Sequence, residues 1–188
     1  MNQETRTKTE LIIAGLGGMG VLSAGNILAT AALKKYKYTS WLPGYGSEKR
    51  GGLCECTMVI SNEEIASPIL DTAQTVMLLD SSQAAGFADR VRSGGLMIVE
   101  RTGLEYEPAG KDFRMVPISG LEKAVEMGGS VMNNLIMLGV YTELVEPLPP
   151  EFLIEEIERR YADKESVLAL NKKAFNYGLE MGKQIGSA

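Results

Sequence analysis

No histidine occurs anywhere in the chain, which removes Ser-His-Asp and Cys-His catalysis, imidazole general bases and every zinc site that needs a histidine ligand. Cysteine is nearly absent. Cys54 and Cys56 are too few for a disulfide framework, a four-cysteine zinc site or an iron–sulfur cluster held by one chain, and they fit a reducing compartment. Long apolar runs are also missing: no stretch approaches the roughly 20 residues of a membrane span, and residues 1–10 are polar, with no signal-peptide core. Basic charge is not in excess either, since Lys and Arg number 19 against 24 Asp and Glu, for a formal charge of -5. That balance excludes the usual footprint of a nucleic-acid binder and disfavours anionic membranes as partners. The expectation is a cytoplasmic protein that spans no membrane and ligates no metal.

What remains is an ordinary globular balance over 188 residues, 45% hydrophobic and 23% charged, enough to bury one sizeable core. A single domain over 1–188 is expected, with a polar lead at 1–10 and C-terminal helices over 147–188. Leu11-Ile12-Ile13-Ala14 reads as a buried strand stopped by Gly15. A glycine turn to Gly20 passes into an amphipathic helix over 21–35. A second strand is expected at 38–42, then a loop of glycines and charges from Pro43 to Gly52. From Leu53 to Ile60 the pattern alternates, with Cys54, Cys56, Met58 and Ile60 on one face as core-facing filler.

Apolar runs at 75–79 and 96–99 are further strands, separated by a helix over 82–92 that Gly94-Gly95 ends. A strand at 113–117 and a short helix at 121–127 follow. Ser130 is placed to cap a nearly all-apolar helix over 131–145, in which Asn133 and Asn134 need hydrogen-bond partners if buried. Glu155, Glu156 and Glu158, with Arg159 and Arg160, read as the solvated face of a helix over 151–160, and a last helix spans 166–183. Alternating strands and helices around a glycine turn imply an α/β fold: an open, mostly parallel, Rossmann-like sheet, helices on both faces and a C-terminal helical subdomain.

Two segments carry the chemistry. Gly15-Leu16-Gly17-Gly18-Met19-Gly20 fits G-x-G-x-x-G between a strand and a helix, where backbone N–H groups can approach a phosphate at the positive helix end. A nicotinamide dinucleotide site would add a carboxylate about 20 residues on. That stretch here, Lys34 to Trp41, holds none, although its lysines would leave room for a 2′-phosphate. Two readings of the turn stand, a phosphate cradle and tight strand–helix packing. The loop 43–52 likewise supports two, Arg50 gripping an anion in a fork of hydrogen bonds or a solvated arginine.

The combination of Gly15-x-Gly17-Gly18-x-Gly20, Tyr45-Gly46-x-Glu48-x-Arg50-Gly51-Gly52, a strand ending Ile60-Ser61, then Glu64-Ile65 and Ser67-Pro68 resembles the gamma subunit, or gamma domain, of the 2-oxoacid:ferredoxin (acceptor) oxidoreductases. The likeness runs from about Leu11 to the C-terminal helices and includes Asn134. The family's turn usually reads G-x-G-G-Q-G, and Met19 stands here in place of the glutamine. The resemblance implies one subunit of an enzyme that oxidatively decarboxylates a 2-oxoacid with coenzyme A, yielding an acyl-CoA and passing electrons to ferredoxin or a similar acceptor. It implies thiamine diphosphate, Mg and iron–sulfur clusters on alpha, beta and delta-type partners, and a gamma chain inactive alone. Coenzyme A is the cofactor this chain itself would touch, through Gly15, Gly17, Gly18, Gly20, Tyr45, Glu48, Arg50, Gly51 and Gly52; no catalytic or metal-ligating residue is assigned. Glu48-x-Arg50-Gly51-Gly52 looks more like the 2-oxoglutarate and branched-chain types than the pyruvate type, which tends to read R-G-A, and points to 2-oxoglutarate. The runner-up is a stand-alone nucleotide-binding reductase or binding protein; a third reading is a scaffold whose glycine turn binds nothing.

Overall fold

A computed structural model of the protein describes residues 8–45 and 51–187; Glu48 and Arg50, expected in the binding loop, lie outside the described residues. Strand β1 (Lys8–Leu16) is buried over most of its length. Leu11 and Ile13 enter one core, and Ile12 and Ala14 the opposite one. Helix α1 (Val21–Ala32) follows the glycine turn. Strands β2 (Tyr38–Tyr45) and β3 (Leu53–Ser61) come next, then β4 (Ala73–Leu78), the four-residue helix α2 (Ala84–Phe87), β5 (Val91–Glu100) and β6 (Phe113–Ile118). Helices α3 (Gly120–Glu126), α4 (Asn133–Val145), α5 (Pro150–Tyr161) and α6 (Glu165–Gly186) complete the chain.

The six strands form one sheet in the order β2-β3-β1-β4-β5-β6. β1, β4, β5 and β6 pair in parallel, as expected. β3 runs antiparallel to both β1 and β2, because the connection from Tyr45 to Leu53 is far shorter than the dozen or more residues a parallel crossover needs. β2 also extends further than its pattern suggests: Pro43, Gly44 and Tyr45 pair with Cys56, Glu55 and Cys54. An edge strand tolerates the proline that a central one would not.

Helices lie on both faces, unequally. α1, α4, α5 and α6 share a core with Leu11, Ile13, Cys56, Met58 and Ile60, whereas on the other face Ala84 and Phe87 of the short α2 pack with Ile12, Val76 and Val99. The expected helix over 82–92 is a single α-turn flanked by 3-10 turns at Ser81–Gln83 and Ala88–Arg90. Gly94 and Gly95 do not end it. They lie inside β5, where the β4–β5 register slips between Ala73 and Thr75: Gly94 has φ +68, and a Cβ on Gly95 would lie 2.7 Å from the Gln74 carbonyl. The glycines serve a bulge, the other structure such a pair permits.

α4 is buried almost all round, as its composition suggests. Ser130 does not cap it. Residues Ser130–Met132 form a 3-10 turn that leads into the helix with no side-chain cap. The face of α4 away from the sheet is covered by α6 at backbone contact, for a Cβ on Gly178 would lie 2.0 Å from the Ile136 carbonyl oxygen and one on Gly139 2.3 Å from that of Phe175. The C-terminal helices therefore belong to the same core as the sheet, through Leu153, Ile157, Phe175 and Leu179.

α5 is tied to α1 by Arg160, which donates to Ser23 Oγ at 3.2 Å and to Asn26 Oδ1. Within α5 Glu156 departs from the solvated charge expected of it. It is only 3% exposed and accepts two bonds from the Arg159 guanidinium, at 2.7 and 2.8 Å, so that the arginine spans the surface while the carboxylate is covered. No helix among the described residues is long and apolar enough to cross a membrane.

Candidate functional site

The carboxyl ends of β1, β4, β5 and β6 lie along one edge of the sheet, where open α/β folds bind ligands. Because β3 is antiparallel, its beginning falls on that edge too: Leu16 pairs with Leu53, and Cys54 with both Gly15 and Tyr45. The fold thus brings Gly15, Gly17, Gly18, Gly20, Tyr45, Gly51 and Gly52 to one place.

The glycines have different tasks there. A Cβ on Gly15 would press on Leu79 Cβ at 3.1 Å and Val21 at 3.2 Å, so this residue serves close packing of strand and helix. Gly17 extends the β1–β3 ladder by donating its N–H to the Gly52 carbonyl at 3.0 Å. Gly18, at φ +98, faces open space and is exposed. Gly20, at φ +82, is the residue before α1, and Gly51 has φ +74. Met19 closes the turn from within, its N–H donating to the Leu16 carbonyl at 3.2 Å and its sulfur accepting the Leu16 N–H at 3.4 Å.

The turn's N–H groups therefore divide into two sets. Those of Leu16, Gly17 and Met19 are committed internally. At the start of α1 the N–H groups of Val21, Leu22 and Ser23 have no acceptor within the helix, no side chain caps them and no acidic residue stands in the first turn. This end of α1 therefore carries uncompensated positive potential.

Two asparagines fix the start of α4 over the same edge. Asn134 Nδ2 donates to the Gly20 carbonyl at 3.1 Å, and Asn133 Nδ2 donates to Glu100 Oε2 at 3.1 Å. Glu100 ends β5, is 2% exposed and accepts four bonds: from Thr102 N (3.1 Å) and Oγ1 (2.8 Å), Leu121 N (2.9 Å) and Asn133. The asparagines announced a need for partners. Periodicity does not single out Glu100; its signal in the sequence is a carboxylate closing an apolar strand run.

The segment Lys34 to Lys37 falls elsewhere. Tyr38 pairs with Ser61 at the opposite edge, where Lys34 meets Glu155 and Lys35 donates to the Pro147 carbonyl at 3.4 Å. These lysines are not beside the glycine turn and hold no 2′-phosphate there, and β3 stands between β1 and the strand that would present a ribose-binding carboxylate. A cavity of about 300 Å³ also opens at that far edge, flanked by the ion pairs of Glu10 with Lys8 (2.7 Å) and Arg92 (2.6 Å).

The cysteines are core filler, as their pattern indicates. Cys56 is fully buried and donates weakly to the Val21 carbonyl at 3.9 Å; burial pushes its thiol up to about 12. Cys54 is half-buried, and burial together with the neighbouring Glu55 raises its thiol as well. No cluster of three or more His, Cys, Asp or Glu able to hold a metal exists among the described residues.

An α/β domain whose first strand delivers a glycine turn to a helix N-terminus at the carboxyl edge of a mostly parallel sheet has the architecture of the doubly wound class. The chain belongs to the pyruvate ferredoxin/flavodoxin oxidoreductase family, whose model matches residues 10–181. It is 36% identical over 173 residues to the ketoisovalerate oxidoreductase subunit VorA of Methanothermobacter thermautotrophicus, covering 92% of this chain and 36% of that one. The chain therefore spans about a third of that relative's length. It is 30% identical over 173 residues to the 2-oxoglutarate synthase subunit KorC of Archaeoglobus fulgidus, covering 92% of this chain and 87% of that subunit. Among solved structures its fold is similar to 2-oxoglutarate:ferredoxin oxidoreductase from Magnetococcus marinus with 2-oxoglutarate, coenzyme A and succinyl-CoA bound, at a TM-score of 0.85 and 24% identity, covering 95% of this chain and 32% of that one.

Proposed function

We propose that this chain is the gamma-type subunit of a 2-oxoacid:ferredoxin oxidoreductase and that its glycine turn seats phosphates of coenzyme A. The observation that carries the reading is the meeting of the turn, the Gly51–Gly52 pair and the uncapped start of α1 at one sheet edge, in a chain of this family. Gly18, Gly20 and the first turn of α1 supply backbone donors at a helix start whose first turn holds no acidic residue, which suits a phosphate. Gly17 contributes by joining the turn to the loop that bears Glu48 and Arg50.

The described residues do not suit the other cofactors. One buried cysteine and one half-buried cysteine cannot hold an iron–sulfur cluster, and no acidic cluster for a metal-bound diphosphate is found among the described residues. Thiamine diphosphate, Mg and the clusters, which supply decarboxylation and electron transfer, belong in this reading to alpha, beta and delta-type partners, with ferredoxin or a similar acceptor meeting the assembly.

The 2-oxoacid we assign is 2-oxoglutarate, supported by the Glu48-x-Arg50-Gly51-Gly52 loop and by the KorC relative, most of whose length this chain covers. A branched-chain oxoacid is the second reading, favoured by the higher identity to VorA. Anaerobic purification through a tag on this chain, followed by coenzyme A-dependent viologen reduction with each oxoacid, tests both. Brown material active on 2-oxoglutarate is the expected result; activity confined to 2-oxoisovalerate selects the second reading, and a colourless chain recovered alone overturns the proposal.

A further inference from the structure

We infer that Asn134 is a positioning residue for coenzyme A, one that aims the Val21 N–H out of the start of α1; this rests on the reading of the glycine turn given above. Asn134 is 6% exposed in the first turn of a mostly apolar helix, where an amide needs a reason to be. Its Nδ2 donates to the Gly20 carbonyl at 3.1 Å, and the same oxygen accepts the Ala24 N–H at 3.0 Å. A trans peptide is planar with its C=O and N–H pointing opposite ways. Holding the Gly20 oxygen toward α4 and down the axis of α1 therefore directs the Val21 N–H away from both, out of the helix end. Two donors on one carbonyl also polarise that peptide and strengthen its N–H as a donor.

The contact leaves no slack. A Cβ on Gly20 would lie 2.4 Å from Asn134 Nδ2, so glycine and asparagine at these positions are fitted to each other. Packing alone would be met by an apolar side chain of the same size. Asn133 supplies the internal control, because it anchors the same end of α4 to Glu100 without touching the turn.

The test uses the assembled enzyme, purified through this chain, with coenzyme A as the probe. Amide hydrogen exchange over residues 16–24 is followed with and without coenzyme A, and KM for coenzyme A is measured beside kcat. Coenzyme A slows exchange over this segment in the wild type. Asn134→Ala and Asn134→Ser lose much of that protection and raise KM about five- to tenfold, the effect of one hydrogen bond of about 1 kcal/mol, with the change in KM rather than kcat. Asn133→Ala lowers Tm comparably and retains both protection and KM. Equal protection and KM in wild type and both Asn134 variants, while Gly18→Val raises KM, overturns the inference and leaves the coenzyme A site standing. No protection in the wild type, with KM unmoved by Gly18→Val, overturns the site and the inference together.

Discussion

The Gly17 N–H donates to the Gly52 carbonyl at 3.0 Å, which makes the glycine turn and the end of the 46–52 loop a single hydrogen-bonded unit. A motif that is read as a row of phosphate donors spends this donor on joining two segments.

The glycines of the turn consequently respond differently to substitution. Gly17→Ala comes no nearer to a neighbour than 3.4 Å, at the Gly51 nitrogen, which is ordinary van der Waals contact, and costs less than about 0.5 kcal/mol. Gly20→Ala combines a left-handed backbone at φ +82 with the 2.4 Å approach to Asn134, and costs about 2–3 kcal/mol. Urea unfolding of the full-length variants measures both, and equal losses would show that the Gly20–Asn134 fit is not tight.

Among the described glycines, Gly178 in the α4–α6 contact has the tightest surroundings. Gly178→Ala places a methyl group 2.0 Å from the Ile136 carbonyl oxygen, which the two backbones relieve only by separating, at a cost of about 3 kcal/mol. Adding Gly139→Ala to the first variant costs less than it does in the wild type, since the helices are already apart. A double-mutant cycle in thermal or urea unfolding checks both statements.

Thiol chemistry follows burial. With the Cys56 thiol at about 12, roughly one molecule in ten thousand carries the thiolate at pH 8, behind a closed core. Alkylation of the native protein near pH 8 modifies Cys54 slowly and Cys56 not at all, whereas both react in urea. Peptide mass spectrometry after timed iodoacetamide treatment reads the difference. Rapid native labelling of Cys56 would mean that β2 and α1 open over it.

At the far edge Glu10 links stability to acid. Burial alone would raise its pKa, but the hydrogen bonds from Lys8 and Arg92 outweigh it and hold the carboxyl below its ordinary 4.5. A lowered folded-state pKa contributes stability that is complete above the unfolded value and is lost as pH falls through the folded one. Unfolding free energies taken from about pH 7 to about pH 3 should show Glu10→Gln less stable by about 1 kcal/mol at neutrality and converging on the wild type in acid. A constant gap across that range would refute the assignment.

Much of this architecture is legible in the sequence because it is written in local patterns. The apolar run of β1, the alternation that puts Cys56, Met58 and Ile60 in the core, and the all-round apolarity of α4 need only nearest-neighbour reasoning. The direction of β3 and the sheet order depend on pairings between distant segments, for which a single chain offers no register. Gly94 and Gly95 were ambiguous for another reason, since a glycine pair ends a helix or forms a bulge equally well. In the site, the turn and its edge are readable, whereas the division of labour among its glycines depends on Gly52 and Asn134, which only the folded chain brings near. Glu156 shows the remaining gap: helical periodicity marks it as polar, and the arginine beside it decides that it is covered.

The close seating of α6 on α4 also bears on how the chain is made. Ile136, Leu138 and Val140 are fully buried in the finished protein, yet the helix that helps to cover α4 runs to Gly186, so the core cannot close until the forty-odd residues after α4 have also been made. Until then an apolar helix is exposed on the ribosome, in the state most prone to aggregation. Truncations ahead of Glu165 should therefore be found with chaperones or in inclusion bodies, and tags or fusions at the C-terminus must leave α6 free to dock as it emerges.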